Sequence, residues 1–325
     1  MKTVAITGPT GSIGMALIKK CISENVRVLA FVNPDSKRLD RIPDSPLVSV
    51  IKCGLDKLSD YCGENDNLAT TDGDTCLTKC DAFYHFAWAG TFGDVRNNMP
   101  LQERNAEYVL DAVRLAKRMG AKVFIGAGSQ AEYGRVEGLL TADTSANPEN
   151  GYGIYKLKAG NESRKLCKEL DMAHIWTRIL SVYGPYDGMG TMIMSTIAKL
   201  LNGEKPSLTK GEQIWDYLYS DDAANAMFLL GQAGASADLV SAVDGNVYVI
   251  GSGIGRPLKE YMEIMRDAIN LDLELGIGEV PYGPKQVMHL QADISDLKRD
   301  TGFEVQYDFE EGIRNTIEYV RSMIS

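Results

Sequence analysis

The chain has 325 residues, of which 34 are Lys or Arg and 44 are Asp or Glu, so its formal net charge is −10. Such an acidic surface disfavours nucleic acid and anionic membrane faces, and we expect neither as a partner. The length exceeds that of a disulfide-stapled miniprotein and suits one large domain or two fused lobes. We find no run near the ~20 apolar residues of a membrane span and no signal-peptide core, so we expect a cytoplasmic protein.

Short β-branched runs alternate with helical stretches in the first half of the chain. Compact apolar runs predict strands at Lys2–Thr7, Val26–Val32, Val48–Cys53, Ala82–Ala87, Lys122–Ala127 and Ala173–Leu180. Helical spacing predicts helices over Ile13–Glu24, near 100–120 and near 152–170. This alternation predicts an α/β fold, a Rossmann-type doubly wound parallel sheet with helices on both faces.

The pattern changes after about residue 182, where Gly, Pro and Tyr become frequent and the segments shorten. We expect residues 1–181 to form the sheet domain, with later segments returning to it. Residues 182–325 should form mainly a smaller α+β lobe at the carboxyl edge of the sheet. The polar segment Ser59–Cys80 is predicted to be a surface excursion between two strands.

The six cysteines have no C-x-x-C pair. A zinc site is one conceivable use for four of them, Cys53, Cys62, Cys76 and Cys80, but their spacing fits no common zinc pattern. Reduced thiols in a reducing cytosol are the simpler interpretation, and we expect no metal.

A glycine-rich turn follows the first strand and directly precedes the first helix. Its pattern is G-x-x-G-x-x-G, and glycines in this position let backbone N–H groups approach a pyrophosphate at the helix N-terminus. The turn predicts a dinucleotide cofactor held by Gly8, Thr10, Gly11, Ser12, Ile13 and Gly14.

The end of the second strand bears on the choice of cofactor. An NAD-binding chain is expected to carry an acidic residue there, about 20 residues after the glycines, to bind the ribose. No acid stands at this strand tip, although Asp35 comes soon after it. The hydrogen-bonding and basic groups suit a 2′-phosphate, so we favour NADP(H) and keep NAD(H) possible, with the candidates Asn33, Ser36, Lys37 and Arg38.

Three further side chains suggest hydride and proton transfer. Tyr152 and Lys156 are four residues apart, which places them on one face of a helix. A neighbouring ammonium is expected to lower the phenol pKa, so that Tyr152 can exchange a proton near neutral pH. Ser129 closes a predicted strand at the carboxyl edge, where its hydroxyl could hold a substrate oxygen.

Taken together, these motifs resemble an extended short-chain dehydrogenase/reductase of the NAD-dependent epimerase/dehydratase family. The matching segments occur in family order over nearly the whole chain: Thr7–Gly14, Tyr84–Ala87, Asn105, Ser129 with Tyr133-Gly134, Tyr152 with Lys156, Arg178, Val182–Pro185, Gly211–Gln213, Asp216–Asp222, Ala292–Ile294 and Phe309–Ile313.

The resemblance implies a role for each matched position. Tyr152 would be the acid/base, Lys156 its tuning and ribose-binding partner, and Ser129 the donor to the substrate oxygen. The cofactor would also be lined by Phe86, Ala87, Trp88, Leu180 and Val182. The family's usual substrates are nucleoside-diphosphate sugars, bound by the carboxyl-terminal lobe. Relatives often dimerise through two helices, so we expect a homodimer with an apolar stripe at Ile154, Leu157, Leu166 and Cys167.

Two departures from the family pattern affect the predicted activity. Dehydratases carry an Asp-Glu pair after the Ser position, but here Gln130 and Ala131 follow it, and Glu132 would point elsewhere. Trp215 stands where members often have an Arg for the substrate diphosphate. We name as candidate substrate contacts Thr91, Arg96, Gln130 and Trp215.

Four functions remain open on these residues. An NADPH-dependent reductase of a nucleotide-linked 4-keto sugar is favoured. A 4-epimerase that retains NAD needs the same Ser/Tyr/Lys set. A carbonyl reductase of a non-nucleotide substrate would explain the missing arginine. A non-catalytic dinucleotide sensor would have no need of a tuned phenol.

Overall fold

The structure is a computed structural model that describes residues 1–62 and 79–324. Its centre is a parallel sheet formed by β1 (Thr3–Thr7), β2 (Arg27–Val32), β3 (Val48–Lys52), β4 (Ala82–His85), β5 (Val123–Ser129), β6 (Ala173–Ile179) and β7 (Val247–Ile250). The strand order is β7-β6-β5-β4-β1-β2-β3. Because the order reverses between β1 and β4, their carboxyl ends border a crevice. The predicted Rossmann-type sheet is confirmed.

The helices connect and cover this sheet. They are α1 (Ser12–Ser23), α2 (Met99–Arg118), α3 (Gly151–Glu169), α4 (Met192–Leu201), α5 (Ser220–Ala235), α6 (Val240–Val243), α7 (Leu258–Ile269), α8 (Ser295–Thr301) and α9 (Phe309–Ile324). Short strands outside the central sheet lie at Leu139–Leu140, Ser181–Tyr183, Ser207–Leu208, Ile214–Trp215, Tyr217–Tyr219, Arg256–Pro257, Gly276–Ile277 and His289–Ala292.

Two hydrophobic cores lie on opposite faces of the sheet. Side chains alternate between the faces of a strand, so Val4 and Ile6 of β1 face α1 and α5, whereas Ala5 faces α2 and α3. This second core places α3 against β5 and β6. The helix that carries Tyr152 and Lys156 is therefore fixed beside the strand that ends in Ser129.

The chain after residue 182 divides its segments between the sheet and a third core. Both β7 and α5 return to the central sheet and its first core. Helices α4, α7 and α9 enclose the third core, which contains Ile193, Tyr261 and Ile313. The two-domain division at residue 181 stays a prediction.

The predicted strands and helices match the structure to within two residues at each end. β7 was not predicted from the sequence. One detail of the predicted dimer stripe is wrong: Cys167 is fully buried in the chain's own second core, and Leu166 packs against that core. Of the stripe, Ile154 is exposed. None of the described helices is long and apolar enough to cross a membrane.

Part of the predicted surface excursion, residues 63–78, lies outside the described residues. The described part of the excursion begins with a short 3-10 turn at Ser59–Cys62, and another such turn precedes it at Leu55–Lys57. Cys53 and Cys80 are buried, whereas Cys76 belongs to the segment that is not described. Within residues 1–62 and 79–324, no group of three His, Cys, Asp or Glu side chains is placed to hold a metal.

Candidate active site

The glycine turn between β1 and α1 is shaped by its first and third glycines. Gly8 has φ +69°, and an added Cβ would lie 2.7 Å from the Ala87 nitrogen at the end of β4. A Cβ on Gly14 would lie 2.5 Å from the Gly8 carbonyl oxygen. Packing therefore requires glycine at both positions. Gly11 differs, because its Cβ would meet nothing nearer than 3.8 Å, so that chain packing alone does not require glycine there.

The N-terminus of α1 is open toward the crevice. No side chain caps the helix at Gly11, and its first turn contains no acidic residue. The positive end of the helix is therefore available to an anion. The Ser12 hydroxyl donates to the Pro185 carbonyl at 2.9 Å, so Ser12 also ties the turn to the segment after β6. An NAD-type pyrophosphate fits this open helix end and the space beside Gly11.

The crevice is a cleft of about 910 Å³, a size that suits a dinucleotide. Ten of the predicted cofactor and substrate residues line it: Gly8, Thr10, Gly11, Asn33, Ser36, Arg38, Phe86, Ala87, Trp88 and Thr91. Of the other predicted cofactor residues, Ser12 and Gly14 belong to the turn that opens α1, and Tyr152 and Lys156 lie next to Trp88. Ile13, Leu180 and Val182 pack against the first core, and Lys37 is exposed. Their contact with a cofactor stays a prediction.

Sequence reasoning missed several residues at the adenosine end of this cleft. The wall there includes Cys53, Leu55 and Asp56, which follow β3. Strand-end position could have indicated them, because the carboxyl ends of neighbouring parallel strands meet at one edge. Arg41 donates to the Thr10 carbonyl oxygen at 3.3 Å and so adds a positive charge near the glycine turn. No motif spacing indicated Arg41.

Ser129 is fixed where β5 ends. Its hydroxyl oxygen accepts from the Ala131 backbone N–H at 3.2 Å, and its own backbone N–H donates to the Glu132 carboxylate at 2.8 Å. This pair of bonds is a capping box. The Ser129 side chain also hydrogen-bonds with Tyr152, which places its hydroxyl beside the phenol.

Tyr152 lies in the first turn of α3, beside Ser129. Burial raises its pKa above the ordinary value of 10, and hydrogen bonding to the Ser129 side chain and the charge of Arg96 act against that increase. The expectation that Lys156 gives Tyr152 a lowered pKa is therefore wrong. The reason is desolvation, which disfavours the phenolate more than the nearby charges favour it.

Lys156 is 3% exposed and anchored inside the site. Its ammonium donates to the Ala127 carbonyl oxygen at 2.5 Å and lies 3.9 Å from the centre of the Trp88 ring. The Tyr152 ring centre is 5.8 Å away. Burial lowers the pKa of Lys156 to about 7, so its charge is sensitive to pH in the neutral range.

Arg96 completes the group around Tyr152. Its guanidinium lies 4.9 Å from the centre of the Tyr152 ring. Its Nε is buried and has no hydrogen-bond partner among the described residues. Arg96 thus brings a positive charge to the proposed reaction centre, as expected for a substrate contact.

The two other predicted substrate residues lie in the turn after β5 and in the second lobe. Gln130 is partly buried in the 3-10 turn after Ser129. The indole N–H of Trp215 donates to the Ser181 hydroxyl at 2.8 Å, which holds the ring in the second lobe. Two cations of that lobe are already paired: Lys205 with Glu279 and Arg256 with Glu310.

His85 has a structural environment. Its Nδ1 lies 2.9 Å from the Thr7 hydroxyl, and burial lowers its pKa to about 3. Its ring lies between β1 and β5, away from the surface, and stays neutral at physiological pH.

Comparisons with known proteins agree with this geometry. The NAD dependent epimerase/dehydratase family matches residues 4–251. A CDP-abequose synthase from Salmonella muenchen is 23% identical and aligns over 97% of both chains. A dTDP-glucose 4,6-dehydratase from Escherichia coli K12 is 27% identical over 57% of this chain and 51% of its own.

Among solved structures, a UDP-N-acetylglucosamine 4-epimerase from Methanobrevibacter ruminantium M1, in complex with UDP-N-acetylmuramic acid, has the same fold. Its TM-score is 0.83 at 23% identity, over 99% of both chains. The family match covers most of the chain, and the strand order and glycine turn agree with it. The chain therefore belongs to the NAD-dependent epimerase/dehydratase family of extended short-chain dehydrogenase/reductase enzymes.

Proposed function

We propose that this protein is a reductase that uses NADPH to convert the 4-keto group of a nucleoside-diphosphate sugar into a hydroxyl. The observation that carries the proposal is the arrangement at the end of β5. Ser129, Tyr152 and Lys156 meet there beside the cleft, while the carboxylate of that turn, Glu132, is fully buried. The turn thus supplies groups for hydride and proton transfer and no exposed carboxyl group for elimination of water.

A nicotinamide cofactor held in the cleft beside Gly11 and Trp88 would supply the hydride for the carbonyl carbon. The Tyr152 hydroxyl gives its proton to the carbonyl oxygen, and the raised pKa of Tyr152 keeps that proton in place before the reaction. The Ser129 hydroxyl donates a hydrogen bond to the same oxygen and stabilises its developing negative charge. Lys156, held by the Ala127 carbonyl, keeps a positive charge next to the phenol as the proton leaves.

The proposed substrate class follows from the relatives. One full-length relative is a CDP-abequose synthase, and one full-length structural neighbour was solved with a UDP-sugar. The buried pairing of Glu132 favours reduction over dehydration. Arg96, with its unpartnered Nε next to Tyr152, supplies a donor for a substrate oxygen.

NADPH is proposed over NADH because of the groups around the adenosine end of the cleft. Asn33, Ser36 and Arg38 line it where β2 ends, and no acid stands at that strand tip. Arg41 lies next to the same region. Positive charge and hydrogen-bond donors favour a 2′-phosphate, which a bare ribose does not carry.

The paired cations of the second lobe favour one alternative. With Trp215 at the diphosphate position, and Lys205 and Arg256 bound to carboxylates, a reductase acting on a ketone without a nucleotide is the second candidate. A 4-epimerase with tightly bound NAD would use the same catalytic residues, and the experiment below separates it from both reductases.

The test is to measure NADPH and NADH oxidation by the purified enzyme with CDP-, dTDP- and UDP-linked 4-keto-6-deoxyglucose and with a simple ketone. Native mass spectrometry of the same sample identifies any bound cofactor. Consumption of one NADPH per keto sugar supports the proposal. Retained NAD with epimerisation at C4 and no net oxidation would replace it with the epimerase, and turnover of the simple ketone alone would favour the second candidate.

We also infer that the protein forms a homodimer through α2 and α3, which pack side by side on one face of the sheet. Ile154 on α3 is exposed and is available to such an interface. Analytical ultracentrifugation of the wild type and of Ile154→Glu tests this inference, because a charge in the interface should yield monomer.

A further inference from the structure

Glu132 is a buried carboxylate that the reaction outlined above does not use directly. It is 0% exposed, and burial of an ionisable group without partners is costly. Three donors surround it: the Ser129 backbone N–H at 2.8 Å, the Trp176 indole N–H at 3.1 Å and the Arg178 Nε at 3.0 Å. Burial raises the pKa of this carboxyl group, and the charge of Arg178 and the three donated hydrogen bonds act against that increase by favouring the carboxylate form.

The surrounding chain is shaped to hold this group. A Cβ at Gly128 would collide with the Glu132 carboxylate and with the Trp176 indole. A Cβ at Gly126 would collide with the indole ring, and one at Gly160 would lie 2.7 Å from it. Two glycines of β5 and one of α3 therefore leave room for the indole, whose N–H then points to Glu132.

Arg178, the second side-chain partner of Glu132, also contacts the turn after β5 and the segment before α3. Arg178 of β6 lies 4.4 Å from the centre of the Tyr133 ring. Its Nη1 also donates to the Ala142 carbonyl at 3.4 Å. Glu132 thus joins the end of β5, the end of β6 and the segment before α3. The same elements carry the catalytic side chains.

We propose that Glu132 is a positioning residue for the catalytic set: its carboxylate fixes the backbone of Ser129 through the capping box, and its charge acts on Tyr152 and Lys156. This deepens the proposed function and rests on it. Glu132 touches neither substrate nor cofactor. It acts through the Ser129 N–H and through the electric field at α3.

The charges agree with this role. Burial lowers the pKa of Lys156, and Glu132 acts against that decrease. Glu132 also contributes to the raised pKa of Tyr152. Arg96 is the other charge that acts on Tyr152, and it has the opposite effect. Carbonyl reduction needs both Tyr152 and Lys156 protonated, so removing the Glu132 charge should shift the alkaline limb of the kcat profile to lower pH.

Three variants separate position from charge. Glu132→Gln removes the charge and keeps the shape, so we expect kcat to fall about 10- to 100-fold with KM little changed, and the alkaline limb to move to lower pH. Glu132→Asp keeps the charge but withdraws the oxygen from the Ser129 N–H, so kcat should fall while the limb stays. Glu137→Gln, an exposed site five residues away, is the matched control and should change neither.

A readout without substrate keeps this inference distinct from the proposed function. The difference between the ultraviolet pH titrations of a protein and of its Tyr152→Phe form reports the pKa of Tyr152 alone. We measure this difference once in the wild-type background and once in the Glu132→Gln background. The pKa of Tyr152 should be lower in the Glu132→Gln background. An inactive wild type with the expected phenol shift would refute the reductase and keep the role of Glu132. An unchanged phenol pKa, or an unchanged kcat limb in an active enzyme, would overturn that role.

A further variant, Trp176→Phe, tests the proposal if Glu132→Gln does not fold. Trp176→Phe removes one donor and keeps the carboxylate and an aromatic ring, so the site should survive with a weaker hold on Glu132. We then expect kcat to fall at least about threefold with KM for the cofactor unchanged. Wild-type kcat in a folded Trp176→Phe protein would overturn the proposal.

Discussion

Replacing Lys156 with methionine should stabilise the fold near neutral pH while removing a proposed catalytic group. Lys156 is 3% exposed, and burial lowers its pKa from 10.5 to about 7. The pKa is thus lower by about 3.5, and each pKa unit corresponds to about 1.36 kcal/mol. Keeping the buried ammonium charged therefore costs about 5 kcal/mol. Methionine has a similar length and no charge, so the variant avoids this cost.

The pH dependence of the effect has a definite sign. Between about pH 7 and pH 10.5 the unfolded chain keeps a proton on Lys156 that the folded protein has lost, so wild-type stability falls as the pH falls through this window. Below it both states hold the proton, and the cost is fully present. The Ala127 carbonyl loses its donor in the variant, which offsets about 1–3 kcal/mol.

The variant should therefore be more stable than the wild type by about 2–4 kcal/mol below pH 7. Its advantage should shrink by about 1.4 kcal/mol for each pH unit above 7. Urea unfolding followed by circular dichroism from about pH 6 to about pH 10 measures both quantities. Over the same range kcat should be lower about 100-fold or more.

The control is Lys158→Met, on the same helix at an exposed position. It removes the same charge in water, so its stability should stay within about 0.5 kcal/mol of wild type at every pH. A wild type more stable than Lys156→Met near pH 6, or a difference that does not vary with pH, would refute the assignment of a desolvated lysine.

Three further changes test the cleft. Tyr152→Phe should lower kcat by about 10²- to 10⁴-fold in steady-state kinetics. Its cofactor affinity, measured by fluorescence titration, should stay within about twofold of the wild-type value. Retained turnover would rule out Tyr152 as the proton donor. Arg38→Ala should weaken NADPH about 10- to 100-fold and NADH hardly at all in the same titration, and an equal loss for both would contradict a 2′-phosphate contact. Gly11→Ala should melt like wild type, because its Cβ would make only an ordinary contact with the Gly8 carbonyl oxygen at 3.8 Å, and should bind cofactor more weakly, because the Cβ would occupy space beside the pyrophosphate. Gly14→Ala should lower the melting temperature, because its Cβ would lie 2.5 Å from the same oxygen. Similar melting of the two variants would refute their different roles.

Most of the sheet could be predicted from local pattern. Buried parallel strands are continuous apolar runs, and each of the six predicted from such runs occurs in the central sheet. β7 was missed because Val247–Ile250 is short and stands within an irregular stretch. Its place in the sheet depends on pairing with β6, which local sequence does not report.

Parts of the site were also within reach of the sequence. The spacing Ser129-x-x-Glu132 is that of a capping box, and the structure contains one at the end of β5. That Glu132 also binds Trp176 and Arg178 has no signal in the spacing, because these partners are 44 and 46 residues away. Likewise, Arg41 meets Thr10 only because two loops come together.

By itself the sequence determined which residues have the chemistry of this site: the glycines of the turn, the serine at a strand end, and the tyrosine and lysine on one helix face. Each of these depends on neighbours within a few residues, where backbone geometry sets the contacts. Only the tertiary structure decided the protonation behaviour. The pKa of Lys156, the raised pKa of Tyr152 and the burial of Glu132 arise from desolvation by segments distant in the chain. The energy of a charge depends on everything packed around it, and a linear pattern does not record that packing.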